Sequence, residues 1–217
     1  NNYLAAPPSM QRSQHTAEVT GRFARESVAL GDGGVCAAFR RSFYARFEDA
    51  RGASHFACVG DFSLGRGPLN ALVADFRLPA IGDAVSIVTL NAARWEPPVH
   101  EQGSLDRELL RSARVPEGGL GCLIVGQHNA LSVHAQPALE AIDRWLVGNT
   151  LGQEAELLIG LGPGLTPSGD DYLGGVLVAL HAFGRTSQAD SLWRWLGPRL
   201  AERTSAISAA HLAAAAT

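Results

Sequence analysis

The stretch Gly160–Gly175 reads GLGPGLTPSGDDYLGG and concentrates residue types suited to site chemistry: the hydroxyls of Thr166 and Ser168, two adjacent carboxyls and many glycines. Ser168 is placed to cap an apolar helical run from Tyr172 to Phe183. Asp171, three residues on, is placed to reach back and close a capping box. Pro167 disfavours helical conformation at Thr166, so the chain should enter the helix from an extended segment. Gly160, Gly162 and Gly164 can take positive φ and let another group approach closely. A helix that starts this way carries unpaired N–H groups and a partial positive charge, both of which favour an anion. Adjacent helical residues point about 100° apart, so the two acids should divide their work, Asp171 in the cap and Asp170 facing a cleft. There Asp170 would orient an amide or ammonium nitrogen, or bind Mg²⁺ through water. Thr166, Gly164 and the loop N–H groups would hold the oxygens of the anion, and Arg203, at the next helix junction, would supply positive charge. A plainer reading stays open beside this one: a well-capped helix after a tight turn. Two features weigh against it, since one cap needs one acid and the loop holds more glycine than a cap requires.

Gly174 and Gly175 lie inside the helix, where each costs roughly 1 kcal/mol relative to alanine. Another backbone or a ligand is therefore expected close to them. Asp170, Gly174, Val178 and His181 share one face, while Leu173, Val176, Leu177, Leu180 and Phe183 form the stripe that should meet a core. His181 is about 16 Å along the axis from Asp170 at 1.5 Å per residue, too far to share a ligand, and is expected as a packed or surface histidine.

The run from Gly164 through Leu165, Thr166, Pro167, Ser168, Gly169, Asp170, Asp171, Tyr172 and Leu173 to Gly174 and Gly175 resembles a known signature. It is similar to the GLTPSGDD-type motif of the small-subunit family of oxamate carbamoyltransferase, the AllH-like proteins. The likeness continues at Arg203, Thr204, Ser205 and Ser208, similar to the family's RTT–x–x–S element, with Ser205 keeping the hydroxyl of the second threonine. Gly65, Gly67, Pro68 and Leu69 look like an upstream GxGPL-type element; of the three, only the first is specific. The resemblance implies a soluble protein of purine and allantoin catabolism with larger partner subunits. Its implied activity interconverts oxalurate plus phosphate with oxamate plus carbamoyl phosphate. Loop and resemblance together nominate Asp170, Asp171, Thr166 and Ser168 as catalytic. They nominate Gly162, Gly164, Leu165, Gly169, Arg203, Thr204 and Ser208 as binding a small-molecule anion. Transfer of a carbamoyl group asks mainly for positioning and stabilisation of negative charge.

Composition sets the outer bounds. A chain of 217 residues is one domain or two small lobes, and one of this size buries about 70% of its unfolded surface. The net charge is −3 and no basic run occurs, so the footprint of a nucleic-acid binder is missing. All 18 basic residues are arginines. The absence of lysine excludes Walker-type phosphate loops, Schiff-base chemistry and lysine general bases, while arginine can still hold carboxylates and phosphates bidentately. Cys36, Cys58 and Cys122 are odd in number, far apart and without a CxxC, which suggests buried free thiols in a reducing cytosol rather than a zinc site or disulfide framework. No apolar run reaches the ~20 residues that span a bilayer, and no signal-peptide pattern opens the chain. A cytoplasmic protein with no membrane partner is expected. The chain starts without methionine and stops at Thr217 in an alanine-rich helix, so native residues are expected beyond both ends.

These motifs need elements to position them, and the texture of the chain changes near residue 127. Before it, β-rich runs at Ala17–Phe23, Val35–Phe47, His55–Val59, Leu69–Phe76, Ala84–Leu90 and Leu120–Val125 alternate with glycine-rich turns, as antiparallel strands do. A helical insertion is expected at Ser104–Ala113. After residue 127, helices fit near 136–148, with Pro137 in the first turn, and near 153–160, 168–184, 188–203 and 205–216. The fold class is therefore α+β, with a β-rich lobe over 1–126 and a helical lobe over 127–217 that carries the GLTPSGDD loop.

Other catalytic constellations fail. No GxSxG elbow surrounds a serine and no HExxH occurs. His128 and His134 are expected as polar surface residues, and Trp193 and Trp195 with Leu192 and Leu196 as a helix face in the core. Arg40–Arg41 is expected at a solvated strand edge. Three functional classes stay open: a carbamoyltransferase subunit active with partners, a noncatalytic anion-binding or assembly subunit, and an Mg²⁺-dependent phosphate-handling enzyme. No cofactor is firmly required, with Mg²⁺ the one the site would admit.

Overall fold

The computed structural model describes residues 11–97, 106, 108, 109, 112, 114, 115 and 118–217. The chain divides into two compact units, Asn1–Pro98 and Val99–Thr217, with strands in the first and helices in the second, so the fold is α+β. Residues 99–126, assigned by texture to the β-rich lobe, fall in the second unit. Leu120–Val125, expected as a strand, is a 3-10 helix bounded by Gly119 and Gly126 at φ 80° and 69°. Left-handed glycines on both sides turn the backbone away from an extended path. The expected helical insertion at Ser104–Ala113 lies largely outside the described residues.

In the first unit the elements are β1 (Arg12–Gly21), α1 (Arg22–Val28), β2 (Gly33–Phe39), β3 (Ser42–Glu48), β4 (Ser54–Gly60), β5 (Asn70–Val73), β6 (Ala84–Val88) and β7 (Ala93–Trp95). Their order is β5-β4-β3-β2-β6-β1-β7, and β1 also pairs with β5, which closes the first six strands into a barrel. Antiparallel pairing holds for β1–β5, β2–β3, β2–β6 and β3–β4. The pairs β1–β6, β1–β7 and β4–β5 are parallel, so the sheet is mixed. Period-2 alternation fills the interior: Phe43, Ala45 and Phe47 of β3 face it with Val35, Ala57, Val59, Ala71, Val73 and Val85. Small alanines opposite large phenylalanines fit the taper of a small barrel.

The segment Val35–Phe47 is two strands, and Arg40–Arg41 occupy the turn between them, not a strand edge. The strand read through Phe23 stops at Gly21, where α1 begins. A Cβ at Gly21 would lie 2.0 Å from the Gly67 carbonyl oxygen, so the chain turns there only as glycine. Ala24 and Val28 of α1 join the barrel core. Cys58 and Cys122 are buried as expected, but Cys36 is exposed because β2 turns Val35 and Ala37 inward instead. Burial pushes the Cys58 thiol up to about 11, which suits packing and not nucleophilic chemistry.

The second unit holds α2 (Ala130–Leu146), a 3-10 helix (Gln153–Leu158), α3 (Ser168–Ala182), α4 (Thr186–Leu196), α5 (Leu200–Arg203) and α6 (Ala206–Ala215). α2 starts earlier than its apolar spacing indicates, because Asn129 and Ser132 cap each other's backbone at 2.9 Å. Pro137 consequently lies inside the helix and not in its first turn. The helix expected over 188–203 breaks at Gly197–Pro198 into α4, a 3-10 turn and α5. Ile142, Leu158, Leu173, Leu177, Leu192, Leu196 and Leu212 form the shared core, with Trp193 and Trp195 partly buried against it. Phe183, expected in the core stripe of α3, is exposed at the helix C-cap, where the chain leaves the packed face. Among the described residues no helix is long and apolar enough to cross a membrane.

Candidate functional site

The loop between the 3-10 helix and α3 turns on three left-handed glycines, Gly160, Gly162 and Gly164, at φ 73°, 114° and 98°. Two of the motif's glycines answer to backbone crowding. A Cβ at Gly160 would lie 2.1 Å from the Arg203 carbonyl oxygen, and one at Gly169 only 1.9 Å from that of Leu158. Gly164 meets nothing within 4 Å, so its φ alone explains it. The motif is therefore richer in glycine than a cap requires because the Arg203 and Leu158 carbonyls crowd it and its loop takes positive φ at three positions. Inside α3, a Cβ at Gly174 would lie 3.7 Å from Leu212, an ordinary contact, whereas one at Gly175, which is exposed, would meet nothing within 4 Å among the described residues.

The helix start differs from the expected capping box. Pro167 is the N-cap, Ser168 is already the first helical residue, and no side chain caps the end. The Asp171 N–H donates to the Pro167 carbonyl at 3.0 Å, and Gly169 N–H to Leu161 at 2.9 Å, so main-chain acceptors do the work assigned to Ser168. The Asp171 side chain is exposed. Partial burial, then the neighbouring Asp170 charge, push its carboxyl above the usual range.

Asp170 is the acid that reaches back, and it does so inside the protein. It is 2% exposed. Its Oδ1 accepts the Gly160 N–H at 2.8 Å, while Oδ2 accepts the hydroxyls of Thr204 and of Ser208, the latter at 2.6 Å. Ser208 is in the first turn of α6, whose N-cap Ser205 accepts the Ser208 N–H at 3.0 Å. One carboxylate thus lies where two helix N-termini meet, a favourable place for negative charge. The expectation that Asp170 faces the cleft is corrected: its oxygens are taken up by three donors from two other chain segments.

Above this staple lies an open cleft of about 370 Å³ lined by Gly160, Gly162, Gly164, Pro167, Glu202, Arg203, Thr204 and Ser205. Of the residues nominated from sequence, Gly162, Gly164, Arg203 and Thr204 line it. Gly169, Asp170 and Ser208 are buried beneath, Leu165 and Thr166 are half-buried in the loop, and Ser168 is half-buried at the start of α3. Leu165 contributes its carbonyl, which accepts the Ser205 hydroxyl at 2.7 Å. Arg203 is engaged: its Nη2 lies 2.6 Å from Glu156, which also takes Arg199 Nε at 3.0 Å. The Arg199 hydrogen bond, then the Arg203 charge, hold the Glu156 carboxyl below the usual range.

Glu156, Glu202 and Gly119 escaped the sequence reading. A Cβ at Gly119 would come 2.5 Å from the Ser168 Oγ, a tertiary contact that no local pattern announces. Both Asp170 oxygens are already hydrogen-bonded, so that carboxylate is not free for the Mg²⁺ it was expected to bind, and the described residues hold no group of three or more possible metal ligands.

The fold is α+β, and the helical unit carries a polar cleft lined in part by glycines. Residues 158–217 match the family model described as oxamate carbamoyltransferase subunit AllH. The resemblance read from Gly164–Asp171 and Arg203–Ser208 therefore holds over that segment, while the Gly65–Leu69 element lies outside it. No curated protein and no solved structure matches the chain.

Proposed function

We propose that this chain is a subunit of a carbamoyltransferase that interconverts oxalurate plus phosphate with oxamate plus carbamoyl phosphate, in purine and allantoin catabolism. One observation carries the reading: every residue that lines the cleft falls within the segment similar to the oxamate carbamoyltransferase subunit. In the phosphorolytic direction a phosphate oxygen attacks the ureido carbonyl carbon, the C–N bond to the oxamate nitrogen breaks, and that nitrogen takes a proton. The chain's part is to bind and orient. The backbone N–H groups of Gly162 and Gly164, beside the N-terminus of α3, would meet developing negative charge there, where fixed dipoles are most effective. Arg203 spends Nη2 on Glu156, and its other donors remain for the anion. Larger partner subunits complete the site in the cytoplasm.

A noncatalytic anion-binding or assembly subunit is the second reading. It is favoured by the saturation of Asp170, which holds the loop in shape without any ligand.

A thermal-shift titration with carbamoyl phosphate, oxamate, oxalurate and phosphate tests the proposal. A ligand at 100 times its Kd adds about 2.7 kcal/mol of stability. The reading expects a concentration-dependent shift from at least one of the four, reduced in Arg203→Ala. Absence of any shift, together with unchanged binding to a partner protein, would leave only the assembly reading.

A further inference from the structure

The direction of the hydroxyl protons in the staple has a consequence for specificity. A carboxylate offers acceptors only, so a hydroxyl bonded to it must donate. Thr204 and Ser208 both commit their protons to Asp170 Oδ2. Ser205 commits its proton to the Leu165 carbonyl and one lone pair to the Ser208 N–H. Ser208 is buried, whereas Thr204 lines the cleft. Toward any ligand, the Thr204 hydroxyl can therefore accept and cannot donate. Gly162, Gly164 and Arg203, residues that can offer backbone N–H and guanidinium donors, line the same cleft.

We infer that Thr204 Oγ1 is the specificity-determining acceptor that reads an N–H of the ligand's amide end, and that Asp170 is a positioning residue that fixes the Thr204 proton. This rests on the small-anion reading of the cleft and adds to it a polarity. An anionic oxygen end lies on the glycine and arginine donors, and an NH₂ end lies on Thr204. A methyl in place of that NH₂ fills the same space and leaves Thr204 Oγ1 without a donor, which costs the analogue affinity. Thr204→Val keeps the side-chain shape and leaves Asp170 with the Gly160 N–H and the Ser208 hydroxyl, so the staple survives in part.

The test is a calorimetric titration of the chain with two isosteric pairs, oxamate against pyruvate and carbamoyl phosphate against acetyl phosphate. The wild type should prefer the NH₂-bearing member by about tenfold, the size of one well-placed hydrogen bond with its unmet alternative. Thr204→Ser should keep that ratio and Thr204→Val should bring it close to one. Asp170→Asn, whose amide can donate to Thr204 and turn its proton to the cleft, should shrink the ratio while phosphate still binds. A ratio that persists in Thr204→Val overturns the inference and leaves the anion cleft standing, as does a wild type that binds both members equally. If none of the four compounds nor phosphate binds, the cleft reading itself falls and takes this inference with it.

Discussion

The barrel buries a histidine and the helical unit buries a carboxyl side chain, and the two are treated in opposite ways. In the barrel His15 is 5% exposed, stacked at a tilt 5.3 Å from Phe43, with Ser13 Oγ at 3.2 Å from Nε2. Burial pushes its pKa down, so it packs as a neutral ring. In the helical unit Asp170 is as deeply buried but receives donors from Gly160, Thr204 and Ser208. The first is a core residue that happens to be polar. The second is a tie between three chain segments, and the cleft lies directly above it. Burial alone does not mark a site; convergence of donors from distant parts of the chain onto one acceptor is what distinguishes the two.

Removing each tie should break that contrast most severely on the helical side. Asp170→Ala leaves the Gly160 N–H and two hydroxyls without their acceptor and should cost about 3 kcal/mol in urea unfolding. A loss below about 1 kcal/mol would mean the staple is ornamental. Gly169→Ala places a Cβ on the Leu158 carbonyl, and the forced shift of the first turn of α3 should cost about 1–3 kcal/mol.

On the barrel side the effect is a pH dependence. The folded pKa of His15 lies below its unfolded value, so the unfolded chain binds more protons once pH falls below about 6.5. Stability should therefore be intact above that pH and decline as pH drops through it, with a slope of at most about 1.4 kcal/mol per pH unit. Chemical denaturation at pH 7 and pH 5 should show the decline, and His15→Gln should remove this contribution; an equal decline in the variant would assign it elsewhere. The smallest effect is a gain. Gly175→Ala, in open space on α3, should stabilise the isolated chain by about 0.5–1 kcal/mol, seen as a raised melting midpoint. A lowered midpoint would mean that position is crowded after all.

The same contrast explains what could be read without coordinates. Strand alternation such as Phe43, Ala45, Phe47 and the helical spacing of Leu173, Leu177 and Leu180 are local patterns, and both elements form where those patterns lie. The short helix α1 was missed because its start depends on Gly21 meeting Gly67, far along the chain. In the motif, a cap by Asp171 and Ser168 is the natural expectation, yet neither acid caps the start of α3 and Asp170 accepts the Gly160 N–H instead. Adjacent carboxyls look alike in sequence; only the arrival of Thr204 and Ser208 decides that Asp170 turns inward and Asp171 outward. Glu156 was invisible for the same reason, since its two arginines are more than a helix away in sequence.

Amide chemical-shift mapping of the labelled chain during titration with carbamoyl phosphate tests the central claim most directly. The account predicts saturable shifts concentrated at Gly160, Gly162, Gly164, Thr204 and Ser205, with the barrel resonances unmoved. Saturable shifts centred on the barrel, or no shifts at concentrations that saturate known anion sites, would contradict it.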